Sequence, residues 1–151
     1  MSKVYVRSLQ EEDYDQWLPV WQENMQHQVS DEVTRNTWLW LCNSDNEVSG
    51  FGVFENSDLA GIMHYILHPT TGSMRPVCYM QDLFIMPDYR RKGYAKELLR
   101  ALAQMGQENG WERIYWIAAR DNEYAQKLYR NIGIKLDFTM HVLPLNLDLK
   151  G

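Results

Sequence analysis

Asp88–Leu99 reads DYRRKGYAKELL, three consecutive cations and a glycine directly ahead of an apolar run. In Tyr94–Gln107 the positions Ala95, Leu98, Leu99, Leu102, Ala103 and Gly106 follow the i, i+3, i+4, i+7, i+8 rule. That spacing predicts a helix laying one stripe on a sheet. Asn109-Gly110 supplies its stop. On either side, Val77–Met86 and Trp111–Ala118 read as strands, so the three segments form a strand, helix, strand unit. Its strands are predicted to lie parallel, joined by a right-handed crossover.

Further out, Lys3–Leu9 alternates like a strand, the acidic run from Glu11 to about Gln28 reads as a helix, and Asp31–Leu41 as a second. Val48–Glu55 and Leu59–Leu67 are two strands joined through NSD, a hairpin signal, and His68-Pro69 closes the second. Beyond the crossover unit come a short helix, Asn122–Asn131, and a last strand, Phe138–Leu147. Antiparallel strands followed by strand, helix, strand, helix, strand predict a mixed α/β fold, with a central, mostly antiparallel sheet and helices on both faces. With no repeat, low-complexity tract or linker, residues 1–151 are expected to form a single domain.

The chain carries 45% apolar residues and a net charge of -5. Residues 1–75 hold 4 Lys+Arg against 11 Asp+Glu, a net of -7, and residues 76–151 hold 11 against 9, a net of +2. A basic half suits an anionic ligand and an acidic half a cation, while overall acidity argues against nucleic-acid binding. No apolar run reaches the ~18 residues of a membrane span, and MSKVYVRSLQEEDYD lacks the features of a signal peptide. A cytoplasmic location is expected. Cys42 and Cys78 stand alone and read as two reduced, buried thiols, and His27, His68 and His141 show no metal spacing. Met63, Met80 and Met86 read as core filler.

The helix start at Gly93 has a chemistry of its own. A first turn leaves backbone N–H groups without partners and carries about half a positive charge from aligned peptide dipoles. Arg90, Arg91 and Lys92 add to that charge, which costs stability unless an anion sits among them, and Gly93 lets a bulky anion approach the main chain. A phosphate or diphosphate fits; the alternative is a solvated basic turn ahead of an ordinary core helix. GxxxxGK[ST] and GxGxxG are both absent, which excludes two familiar phosphate loops.

RRKGYA, Arg90–Ala95, resembles the [QR]xxGx[GA] signature of the GNAT superfamily of N-acetyltransferases. QDLFIMPDY ahead of it fits that family's acetyl-holding strand. NEYAQKLYRNIG, Asn122–Gly133, is similar to its second signature, NxxAxxLYxxxG. The likeness covers Val77–Gly133 firmly and the rest more loosely, HYILHP included. Within the family the chain looks closest to the polyamine and diamine acetyltransferases and the related yeast histone/polyamine branch. The resemblance implies the GNAT fold with one splayed parallel strand pair, acetyl-coenzyme A as co-substrate, no metal, and a homodimer.

It also implies roles. Backbone groups of Leu83, Phe84 and Ile85 would hold the thioester and pantetheine arm. Arg90, Arg91, Lys92, Gly93, Tyr94, Ala95 and Lys96 would surround the diphosphate, with the amides of Arg91–Lys96 as donors. Asn122, with Ala125 beside it, would meet the pantetheine arm from the other side, and Tyr129 would be the general acid. Asn122, Ala125 and Tyr129 are spaced i, i+3, i+7 and share one helix stripe. A phenol of pKa ~10 suits protonation of a departing thiolate; a core aromatic is the other reading of Tyr129.

The base departs from the family's pattern. Gln81 stands where similar polyamine acetyltransferases carry Glu, and an amide cannot take a proton. Asp82 is the next candidate, although regular alternation points it to the face opposite Gln81 unless a bulge re-aims it. His64, Glu23 or a water chain are further candidates, and His64, among apolar neighbours, also reads as a structural histidine. For the acceptor, Glu23, Asp31, Glu32 and His64, with Trp17, Trp21, Trp38 and Trp40, suit a cationic amine; solvated acids and core tryptophans are the alternative. The expectation is an acetyl-coenzyme A dependent N-acetyltransferase acting by direct transfer on a small amine such as a polyamine or diamine. The alternatives are a protein, peptide or amino-acid acceptor and a non-catalytic acyl-coenzyme A binding module.

Overall fold

The structure, a computed structural model, describes residues 2–133, 136 and 138–146, with Tyr124 by its backbone alone. Strand β1 (Val4–Ser8) leads through a single 3-10 turn, Glu11–Asp13, into α1 (Tyr14–Asn24), followed by α2 (Asp31–Cys42). Then come β2 (Val48–Glu55), β3 (Asp58–His68), β4 (Val77–Ile85), α3 (Tyr94–Asn109), β5 (Ile114–Tyr115) and α4 (Glu123–Arg130). The strands form one sheet in the order β1-β2-β3-β4-β5. Every pairing is antiparallel except that of β4 with β5.

Local chemistry explains the boundaries. Arg7 donates to both carboxylate oxygens of Asp13, at 2.7 and 2.9 Å, and Asp13 also accepts from Gln10 N at 2.7 Å, which pins the corner between β1 and α1. α1 stops at Asn24, short of the expected Gln28, because Gln26 and His27 take left-handed backbone angles, φ 54° and 57°. Ser30 caps α2 by accepting from Val33 N at 3.2 Å. In the β2–β3 hairpin Glu55 pairs with Asp58. Asn56 sits between them at φ 58°, a conformation asparagine tolerates.

Helices cover both faces of the sheet. On β3, His64 meets Trp17 of α1 while the next residue, Tyr65, meets Met105 of α3. The α1/α2 side is a cluster of Leu9, Trp17, Val20, Trp21, Trp38, Phe54, Leu59 and Ile62. On α3, Tyr94, Ala95, Leu98, Leu99, Leu102 and Gly106 are buried. The predicted stripe holds except at Ala103, which is exposed; it lies at the edge of the arc, about 80° from Ala95 at 100° per residue. Met63 and Met80 are buried and Met86 packs against the α1/α2 cluster. Cys78 is buried, but Cys42 is only partly so, at the end of α2.

The parallel pair is shorter than expected. β5 comprises Ile114–Tyr115 rather than Trp111–Ala118 and pairs with Cys78 and Tyr79 alone. Trp111 N bonds instead to Gly106 O at the end of α3, and its ring fills the space a side chain at Gly106 would need. Beyond Tyr79 the β5 side of β4 has no ladder among the described residues, which is the splay anticipated for this pair. The last strand expected over Phe138–Leu147 is absent across Phe138–Asn146, and Leu147 lies outside the described residues. Alternation alone makes no strand: Pro144 has no N–H to donate, and Phe138 and Leu145 are 81% and 96% exposed. The chain divides into two compact units, Met1–Ile117 and Ala118–Gly151. Among the described residues no helix is long and apolar enough to cross a membrane.

Candidate active site

The opening of α3 is bare. Gly93 is its N-cap at φ 81°, with no side-chain cap, and the first amide that reaches back into the helix is Glu97 N, to Gly93 O at 3.2 Å. The amides of Tyr94, Ala95 and Lys96 therefore lie in the turn that has no intrahelical acceptor. Among the described residues nothing lies within 4 Å of where a Cβ on Gly93 would stand. Arg91, two residues earlier, is also left-handed at φ 65°, so the backbone curls into a concave turn suited to an anion.

The cations of that turn are partly spoken for. Arg90 Nε donates to Ile85 O at 2.9 Å and its guanidinium sits 5.3 Å from the Phe84 ring, so Arg90 is folded onto the end of β4. Lys92 reaches Glu55 Oε1 at 3.0 Å, and Tyr94 donates its hydroxyl to the same oxygen at 2.8 Å. Burial, followed by that carboxylate, pushes the Tyr94 phenol up to about 12. The Tyr94 bond and then Lys92 hold Glu55 below the usual carboxylate range. Arg91 and Lys96 are exposed. Of the three cations, Lys92 is offset by a carboxylate and Arg90 is held by a neutral carbonyl and a ring with its charge intact.

β4 carries the other half of the cradle. Its pairing with β3 sets His64 opposite Asp82 and Tyr65 opposite Met80, leaving Gln81 as the extra residue of a bulge. The bulge puts Asp82 on the His64 face although Met80, two residues earlier, shares the face of Tyr65. This is the re-aiming that regular alternation forbids. Gln81 itself is exposed, and Leu83 and Phe84 are half-buried.

Asp82 is held on both oxygens. Oδ2 lies 3.0 Å from His64 Nδ1, and Oδ1 accepts from Asn24 Nδ2 of α1 at 3.2 Å. Trp17 Nε1 donates to His64 Nε2 at 3.1 Å. The Asp82 side chain keeps 17% exposure while that of His64 keeps 3%. A carboxylate at the sheet surface with a buried polar support behind it can accept a proton from a ligand; His64, bonded at both nitrogens, has no lone pair to offer.

The acceptor candidates separate. Glu23 is exposed and contacts His27 Nε2 at 3.4 Å. Asp31 lines a cleft of about 240 Å³ with Tyr14, Leu18, Gln22, Thr34 and Arg35. Glu32 is exposed on α2 and lines no part of it. Trp17, Trp21 and Trp38 are core residues at 0%, 6% and 9% exposure, so their faces serve packing, while Trp40 is 48% exposed. His68 is structural, with Nδ1 at 2.9 Å from Pro69 O and Nε2 at 2.6 Å from Tyr115 Oη.

In the C-terminal unit Asn122 caps α4, its Oδ1 accepting from Ala125 N at 3.1 Å. Tyr129 is half-buried on the last turns of that helix, and its carbonyl accepts from Gly133 N at 2.9 Å.

A β4–β5 ladder that ends at Tyr79, a start of α3 with no side-chain cap and a carboxylate anchored on β4 are the features that the structure offers for a site. The sequence profile of the Acetyltransferase (GNAT) family matches residues 6–134. The chain belongs to that family and is an N-acetyltransferase. It is 26% identical over 144 residues to the D-amino-acid N-acetyltransferase HPA3 of Saccharomyces cerevisiae, covering 92% of this chain and 89% of that protein. It is 31% identical over 85 residues to a thialysine N-epsilon-acetyltransferase of Caenorhabditis elegans, 56% of this chain and 52% of that one. In fold it matches an aminoglycoside N-acetyltransferase, AAC(6')-Iy, solved in complex with CoA, with a TM-score of 0.84 at 15% identity over 96% of this chain and 97% of the other.

Proposed function

We propose that the protein transfers acetyl directly from acetyl-coenzyme A to a primary amine of a small cationic molecule, of the polyamine or diamine class. The observation that carries this reading is Asp82, a carboxylate re-aimed by the Gln81 bulge and held by His64 and Asn24 on the strand whose described ladder with β5 ends at Tyr79. An alkyl ammonium cannot attack a thioester, so the reaction needs a proton acceptor where the amine arrives. The family and a relative solved with CoA support the donor. The bare amides at Tyr94, Ala95 and Lys96 take the diphosphate, with Arg91 and Lys96 as exposed cations around it. Backbone groups of Leu83 and Ile85, turned away from β3 by their alternation with Phe84 and Met86, hold the thioester arm as an added strand would. Their N–H donors oppose the charge that develops on the carbonyl.

Tyr129 is the proton donor to the departing thiolate, and Asn122 a pantetheine contact, on the strength of the motif over Asn122–Gly133. The reading takes residues 1–151 as one catalytic domain, located in the cytoplasm and assembled as a homodimer; a monomer mass by light scattering removes the dimer. A second reading, an amino acid as acceptor, is favoured by the yeast relative, whose name gives D-amino acids.

The test follows free thiol release from acetyl-coenzyme A with spermidine, putrescine, a D-amino acid, thialysine and a basic peptide. Release with spermidine or putrescine above the others is expected. Release with the D-amino acid alone selects the second reading, and none with any amine, despite tight coenzyme A binding, leaves a binding module. Tyr129→Phe is expected to lower kcat by about 100-fold or more.

A further inference from the structure

Trp17, His64 and Asp82 form a chain of hydrogen bonds whose direction is decided at its buried end. An indole N–H can only donate. With Trp17 Nε1 at 3.1 Å from His64 Nε2, that ring nitrogen is the acceptor, and the hydrogen of the neutral imidazole sits on Nδ1. Nδ1 therefore donates to Asp82 Oδ2 at 3.0 Å. Trp17 is fully buried and His64 is 2% exposed. The indole is clamped between rings, stacked on Trp21 at 5.4 Å and 11° and tilted against Trp38 at 4.7 Å. Packing of the core thus aims the N–H, and only the far end of the chain reaches the surface.

We infer that Trp17 is a positioning residue for acetyl transfer: it selects the Nδ1–H tautomer of His64, and that tautomer holds the Asp82 carboxylate in place. The inference rests on Asp82 as the proton acceptor. With the opposite tautomer, a ring lone pair would face Oδ2 across 3.0 Å with no hydrogen between them, and Asp82 would lose its anchor. In the transfer step the ammonium N–H bond breaks and its proton passes to a carboxylate oxygen of Asp82. His64 keeps its own proton throughout. The new C–N bond forms as the C–S bond breaks. Tyr129 gives its proton to the departing thiolate and is restored by the second proton that the acylated nitrogen sheds, and the proton on Asp82 leaves to water at its exposed edge.

Two readouts test this on the full chain. Long-range proton–nitrogen correlation of the imidazole rings, at about pH 8 where an ordinary histidine is neutral, reports tautomers directly, and His64→Asn assigns the signal. An Nδ1–H ring is expected for His64, and an Nε2–H ring overturns the inference. Kinetically, with acetyl-coenzyme A and spermidine, Trp17→Phe keeps a packed ring and removes the N–H. It is expected to lose roughly tenfold or more in kcat with KM for acetyl-coenzyme A unchanged. Wild-type kcat overturns the inference. Should Trp17→Phe fail to fold, the wild-type spectrum and the pair His64→Asn and His64→Leu decide. Asn can still donate to Asp82, so it must retain the more activity; equal losses count against the inference. Asp82→Asn is run alongside. Wild-type turnover in that variant removes Asp82 from the chemistry and this inference with it, whereas loss in Asp82→Asn with full turnover in Trp17→Phe removes only the role of Trp17.

Discussion

Asp82 owes its placement to neighbours that are remote in sequence. Asn24 is 58 residues away and His64 18, yet α1 and β3 bring both to one carboxylate. Asp82→Asn preserves shape and one of the two acceptor oxygens but removes the capacity to take a proton. It is expected to lower kcat by about 100-fold or more while KM for acetyl-coenzyme A stays within about twofold; unchanged kcat refutes the assignment. This cluster was only half legible in the sequence. Asp82 and His64 each interrupt an apolar strand, which is a readable signal of buried polar partners. The bulge that joins them was foreseen only as the condition under which Asp82 could be re-aimed; its position was not readable, because Gln81 is neither glycine nor proline and regular alternation placed Asp82 on the other face. Trp17 was seen as a candidate for an acceptor's ring contact. Its indole N–H, bonded 47 residues away, becomes informative only once α1 lies on β3.

Elements with a strong period were legible, and those that depend on a partner were not. α3 follows from its apolar spacing, β2 and β3 from two strand-like runs joined through an asparagine turn. β5 shrinks to two residues because its ladder stops at Tyr79, a property of the pair and not of either strand. The corner between β1 and α1 supplies a prediction at this scale. Asp13 sits below the ordinary carboxylate value of 3.8, chiefly because Arg7 hydrogen-bonds it and also because Gln10 N does. Its folded pKa is depressed, so its contribution to stability is full above the unfolded value of about 3.9 and is lost as pH falls through the native value. Asp13→Asn is expected to cost about 1–3 kcal/mol near neutral pH, and the gap between wild type and variant should close in acid, measured by denaturant unfolding. A gap that is constant down to about pH 2 contradicts this account of the corner.

At the scale of the whole chain, the net of -7 over residues 1–75 and +2 over residues 76–151 matches a cationic acceptor and an anionic donor. Raising salt from about 20 to about 200 mM shortens the range of these fields. KM for spermidine is expected to rise roughly threefold or more with kcat unchanged, and a flat response removes the acidic half from acceptor capture. The donor side is where the account is most exposed. Replacing Gly93 with Asp puts a carboxylate at the start of α3, at a left-handed φ of 81° that strains side chains in general and Asp less than most. The amides proposed for a diphosphate then acquire an anion of their own. The deciding measurement is calorimetric titration of coenzyme A into the wild type and Gly93→Asp. One-to-one binding that Gly93→Asp weakens by about tenfold or more is predicted. No heat with the wild type, or equal affinity in both, contradicts the claim that the start of α3 holds the donor.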